Sequence, residues 1–236
     1  MKSMIKSKRY AESEKLLERD RRYTLDEAAG LLKKIKPAGF DETVELVFHL
    51  GVDPKQADQM VRGVIILPHG TGKEVRVAVF AKGDKAQEAK QAGADEVGAE
   101  DLADKIAGGW MEFDTIVATP DMMKVVSKLG KILGPRGLMP SPKTGAVTFE
   151  LEQVIKEVKA GRIEFRVDKT SNVHMVAGKV SFSEGNLREN IAECIRTILR
   201  LRPPACKGQY IRSASLSTSM GPGIKLDTQQ LISSLK

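Results

Sequence analysis

Apolar and polar positions change rhythm three times along the chain. Leu25, Ala28, Ala29, Leu31, Leu32 and Ile35 fall at helical spacing and predict an amphipathic helix. Thr24, with Glu27 three residues on, forms a capping box at its start, and Pro37-Ala38-Gly39 stops it. Residues 43–50 alternate, with Val44, Leu46, Phe48 and Leu50 on one face, and predict a strand. A second strand is expected over 61–67, before a break at Pro68-His69-Gly70-Thr71-Gly72.

Beyond that break the pattern changes. The run 75–81 is almost continuously apolar, as in a strand buried on both faces. Helices are expected over 84–92, 101–107 and 121–129, the last capped by Asp121, with short strands over 94–97 and 115–118. A further helix over 149–160 ends at Gly161. This β-α-β-α-β-α rhythm with short connections predicts a small parallel sheet with helices on both faces. After Gly161 the first style returns: strands over 163–167 and 173–182 around a polar turn at 168–172, then a helix from Ser183 or Glu184 to Leu201, closed by Pro203-Pro204.

The last alternating stretch runs over 211–220, where Ile211, Ser213, Ser215, Ser217 and Ser219 are expected on one face. Gly221-Pro222-Gly223 breaks it, because Pro222 donates no N–H and the glycines tolerate unusual backbone angles. Short hydroxyls and bare backbone at such a strand end suit contact with sugar hydroxyls and phosphates. An ordinary strand–turn–strand is the plainer alternative.

Charge separates the same segments. The chain has 236 residues, a net charge of +7 and a pI near 9.3, which points to a polyanionic partner. From Pro68 to Gly161 there are 13 Lys+Arg and 14 Asp+Glu; the flanking parts hold 25 and 17. All the positive excess belongs to the outer segments. The architecture expected is an α+β discontinuous RNA-binding domain, an antiparallel sheet with helices over 1–67 plus 162–236, interrupted over 68–161 by an inserted α/β three-layer Rossmann-like domain. Pro68, Gly70 and Gly161 would form a double-stranded hinge. Residues 1–22, with eight basic and four acidic side chains, read as a solvated or loosely helical arm.

Several functions are disfavoured. Cys194 and Cys206 lie outside any C-x-x-C pattern, and His49, His69 and His174 have no metal-like spacing. No nucleophile–base pair can be proposed, and no cofactor is called for. No apolar run approaches the ~20 residues of a membrane span, and 1–22 lacks the apolar core of a secretory signal, so a cytoplasmic location is expected. A nucleotide-using enzyme built on the inserted domain is the competing reading. However, Pro142 stands where the second glycine of a phosphate loop is required before Lys143-Thr144, and Leu67 and Glu74 spoil the similar stretch around Gly72-Lys73. Lys131, Arg136 and Lys143 still make the 134–144 loop basic.

The turn from Arg166 to His174 is the other candidate contact. Arg166 and Lys169 can pair with phosphates, and Thr170 and Ser171 can reach 2′-hydroxyls. Were it to lie beside Ser219-Met220-Gly221, the two would make one RNA-facing edge. With seven Phe, three Tyr and one Trp, base stacking across a single-strand platform is disfavoured, and recognition of a folded RNA fits better.

At this point the sequence resembles a known family. Val61-Arg62-Gly63 with Leu67-Pro68-His69-Gly70, Ala118-Thr119-Pro120-Asp121-Met122-Met123, Lys131 to Pro140 (K-I-L-G-P-R-G-L-M-P) and Ser219-Met220-Gly221-Pro222 are similar to the ribosomal protein L one family in its bacterial form. The resemblance runs from about Tyr10 to Asp227. It implies a non-enzymatic protein of the large ribosomal subunit that binds 23S rRNA directly and forms the mobile stalk involved in release of exit-site tRNA. It also implies repression of the protein's own operon through its mRNA. The partners implied are large-subunit rRNA, own-operon mRNA, exit-site tRNA and other parts of the ribosome, with no membrane, for a protein that is a monomer when free. The RNA contacts it implies fall on Phe40 with its neighbours Glu42 and Thr43, on Asp168, Lys169 and Thr170, and on Ser219, Met220 and Gly221. Thr218 and Pro222 flank the last group, and Arg166 and His174 the middle one. Two departures are Gly39, where many relatives carry Lys, and Ser219, where many carry Thr.

Overall fold

A computed structural model describes residues 7–18 and 20–234. The expected N-terminal arm therefore lies partly outside the described residues; within them, α1 (Lys8–Lys15) is a helix capped by Ser7. α2 (Leu25–Ile35) opens with the capping box: the Glu27 N–H donates to the Thr24 hydroxyl, and the Thr24 N–H donates to the Glu27 carboxylate. Next come β1 (Thr43–Leu50), β2 (Arg62–Ile66), β3 (Val77–Phe80), α3 (Asp84–Gln91), β4 (Glu96–Gly98), α4 (Glu100–Ala107) and β5 (Thr115–Ala118). They are followed by α5 (Met123–Lys128), α6 (Gly130–Leu133), α7 (Leu151–Ala160), β6 (Arg162–Arg166), β7 (Asn172–Lys179), α8 (Glu184–Arg200), β8 (Ile211–Thr218), β9 (Ile224–Leu226) and α9 (Thr228–Ser234).

The helix expected over 121–129 is broken. Pro120 presets the first turn, so a 3-10 turn at Pro120–Met122 precedes α5, and Asp121 caps nothing. At the end of α7 the expectation holds: Gly161 adopts φ 106°, a left-handed angle that strains any other residue, and its N–H returns to the Val158 carbonyl.

The chain forms two compact units, one collecting the residues up to Gly72 and from Ile163 onward, the other Lys73–Arg162. In the first, four antiparallel strands run in the order β7-β1-β8-β9, and β2 pairs with β6 in a separate two-stranded sheet. One face of the four-stranded sheet is packed. Val44, Leu46, Phe48, Leu50, Val173, Met175, Ala214 and Leu216 meet Leu32 and Ile35 of α2 and Leu187, Ile191, Ile195 and Ile198 of α8. In the second unit, β4-β3-β5 is parallel, and every residue of β3 is buried between two apolar clusters. One cluster joins the sheet to α4, α5 and α6, the other to α3 and α7.

The turn after β2 is fastened inside the first unit. Buried Asn190 of α8 accepts the His69 N–H (3.1 Å) and donates to the carbonyls of Gly70 (3.1 Å) and Ala177 (2.8 Å). The turn is thus tied to a core helix on both sides of His69, and its unit continues to Gly72. Asn190→Ala should lower folding stability by about 3 kcal/mol, since two carbonyls and one N–H lose their partner in the interior. A fall in the urea midpoint measures this; an unchanged midpoint would show that water replaces the amide.

Candidate nucleic-acid interface

The same alternation that buries one sheet face sends polar residues to the other. Glu45, Val47 and His49 of β1 stand in rows with Val176, His174 and Asn172 of β7 and with Ser217, Ser215 and Ser213 of β8, and Lys225 of β9 lies opposite Ser215. None of these side chains is buried. The serines of 213–219 share this face as expected, but Ile211 does not. An irregularity between His49 and Leu50 leaves Arg212 unpaired and shifts the phase by one residue, which sends Ile211 into the core opposite Leu50.

One corner of this face is built around Glu42. The residue is completely buried and both its oxygens serve the protein's own backbone: Oε1 accepts the Ala38 N–H (2.9 Å) and Oε2 the Met220 N–H (3.0 Å). Burial pushes this carboxyl up, but the N–H of Met220, the nearby Thr218 hydroxyl, the N–H of Ala38 and the charge of Lys36 outweigh it and hold it below the usual range. Thr43 and Ser219 clasp each other, the Thr43 N–H donating to Ser219 Oγ and the Ser219 N–H to the Thr43 carbonyl, both at 3.1 Å. Lys179 Nζ donates to the Thr43 hydroxyl at 2.8 Å. Gly221 sits directly over Thr218 Oγ1, where a β-carbon would collide with the hydroxyl. The outcome is a corner from which Phe40 and Met220 project, 55% and 60% exposed, tied to one carboxylate through their neighbouring backbone. Glu42, Thr218 and Pro222 are buried and offer no surface for the direct contact expected of them; they support the corner from beneath.

The second corner is the turn after β6. Asp168 is spent on its own loop: its carboxylate accepts the Asn172 N–H, the Thr170 hydroxyl and the Thr170 N–H, each at 2.8 Å, and these bonds hold it below the usual carboxylate range. The turn passes through Ser171 at φ 66°, a left-handed angle, fixed by its hydroxyl donating to the Val52 carbonyl. Lys169 and Thr170 are left exposed at the tip, and Arg166 is exposed two residues before Asp168. Asn172 joins the turn to the sheet by donating to Thr170 Oγ1 (2.9 Å) and pairing with His49 Nδ1 (2.9 Å), and His174 Nε2 stands 3.9 Å from Asp168.

These two corners do not lie side by side. Antiparallel pairing places Thr43 against Lys179 and Val44 against Thr218, whereas His49 faces Asn172. Six residues of β1 therefore separate Ser219 from the 168–172 turn, about 20 Å of strand. The expectation of one shared edge is replaced by two ends of one open face.

Among the described residues no cluster of His, Cys, Asp or Glu could hold a metal ion. Neither spoiled phosphate loop forms a cradle: the 67–70 turn is bound to Asn190, and buried Thr144 gives its carbonyl to Arg162. A positively charged chain with an open, hydroxyl-lined sheet face has the make-up of a protein that binds structured nucleic acid. The comparison with known families narrows this, because the profile of the ribosomal protein L1p/L10e family matches residues 32–222, and the chain belongs to that family. It is therefore a protein of the large ribosomal subunit that binds rRNA, with a structural rather than an enzymatic role, and its place is with the ribosome in the cytoplasm. No helix among the described residues is long and apolar enough to cross a membrane.

Sequence reasoning missed Glu45, His49, Asn172, Lys179 and Lys225. The signal was present for the first two, since the alternation that puts Val44 and Phe48 inside must put Glu45 and His49 outside.

Proposed function

We propose that the open face of the four-stranded sheet grips a folded segment of 23S rRNA at both ends. Phe40, Thr43, Ser219, Met220 and Gly221 form one contact, and Arg166, Lys169, Thr170 and His174 the other. The observation that carries this reading is the Glu42 corner, where a buried carboxylate holds two exposed apolar side chains at the end of an uncovered polar sheet. Methionine and phenylalanine cover sugar edges and bases, while the short hydroxyls accept close approach of the RNA backbone. In this reading 1–67 plus 162–236 is the rRNA-binding domain, 68–161 is inserted into it, and the free protein is a monomer. The complex forms the mobile stalk that takes part in release of exit-site tRNA, and the same surface binds own-operon mRNA to repress translation. A single site for both RNAs requires that they compete.

Gel shifts on the outer segments joined without 73–162 test the reading. The joined chain should bind the rRNA fragment within about threefold of the whole, because its apolar core is complete without the insert. Folded but non-binding protein would overturn the assignment, and so would simultaneous binding of rRNA and mRNA.

A further inference from the structure

The inserted unit has no net positive charge, yet its charge is sharply divided. Residues 122–149 carry five Lys+Arg and no Asp or Glu, while the rest of Lys73–Arg162 carries nine against fourteen. The structure shows what each cation does. Lys73 and Arg76 pair with Asp114, Lys82 with Glu100, Lys85 with Glu88 and Lys105 with Glu96. Lys156 pairs with Glu152, Lys159 with Asp95 and Arg162 with Glu157. Lys90 apart, the described basic side chains of this unit without an ion pair are Lys124, Lys128, Lys131 and Arg136, all exposed. (The Lys143 side chain lies outside the described residues.) Lys124 and Lys128, four apart in α5, share one side of that helix, and Lys131 follows in α6, while Val126, Leu129 and Leu133 are buried. Arg136 follows in an exposed stretch, Gly134 to Gly137, which presents bare backbone.

We infer that this side of the inserted unit is a second RNA-binding surface, separate from the sheet face, that takes the phosphate backbone of a paired RNA. Unpaired cations at helical spacing neutralise phosphates and release counterions without reading sequence. Between Lys124 and Arg136 the only exposed large hydrophobic is Ile132 at 36%, too little to anchor in a lipid surface. Ribosomal family membership makes RNA the polyanion at hand.

The test uses the full chain carrying Met220→Asp, which disables the sheet face on the reading above. Its binding to an RNA duplex of unrelated sequence is measured across a salt series, with and without Lys124, Lys128, Lys131 and Arg136 changed to Gln. The four changes should weaken binding tenfold or more and flatten the dependence of log K on log salt by about 3 to 4, and Arg at the three lysine positions should retain it. Gln at the ion-paired Lys82, Lys85 and Lys105 should leave the slope in place. An unchanged slope in the fourfold variant, an equal loss in the ion-paired control, or equally tight binding to anionic phospholipid vesicles would overturn the inference. If Met220→Asp alone leaves rRNA affinity intact, the sheet-face reading fails, while the glutamine comparison still decides this one.

Discussion

Met220→Asp should lower the affinity for large-subunit rRNA by about 100-fold, close to 3 kcal/mol of binding energy. Met220 stands at the tip of the Glu42 corner with more than half its surface exposed, and it is uncharged and flexible enough to fit an irregular RNA surface. A carboxylate there would be stripped of water against phosphates of its own sign. Fold should be retained, since the Met220 N–H, not its side chain, makes the bond to Glu42. Met220→Leu should bind nearly as well as wild type. Unchanged affinity for the aspartate variant would move the contact away from this corner.

Glu42→Ala is expected to remove about 3 kcal/mol of folding stability and to weaken rRNA binding with it. The Ala38 and Met220 N–H groups lose their acceptor, each at a cost of about 1–3 kcal/mol, and the loop carrying Phe40 is no longer tied to the strand end. The effect has a pH signature. Because the folded-state pKa of Glu42 is depressed, its contribution is fully present above the ordinary glutamate value, about 4.3, and is lost as pH falls through the lowered one. Comparison of urea midpoints for wild type and Glu42→Gln should therefore show a gap that closes in acid. A gap holding constant down to about pH 3 would mean that shape alone, not charge, fixes the corner.

The packed half of this molecule could be read from its sequence because burial imposes a period. Val44 to Leu50 announce β1 to the residue, and the Thr24 and Glu27 pair announces the start of α2. What could not be read depends on partners distant in the chain. Nothing local shows that Arg212 will be squeezed out of register and reverse Ile211, nor that β1 lies between β7 and β8, which sets the two candidate contacts at opposite ends. Glu42 misleads for a related reason. A charged residue beside an exposed phenylalanine looks like surface, and only the fold brings Ala38 and Met220 to it from two sides. Pro120, by contrast, acts locally: its fixed φ sets the 3-10 turn that delays the start of α5.

The position of β1 also governs the order in which a chain made from its N-terminus can assemble. This strand is synthesised early, yet Thr43 bonds to Lys179 and Ser219, which lie 136 and 176 residues later. The parallel sheet of Lys73–Arg162 has all its strands within that stretch and can close while translation continues. The strand at the centre of the other sheet must wait for β7 to cover one edge, and its other edge stays bare until the last fifth of the polypeptide, which carries β8, leaves the exit tunnel. A nascent chain halted before Thr218 would thus hold a finished insert beside an unmade grip, and would need shielding from its neighbours on the polysome.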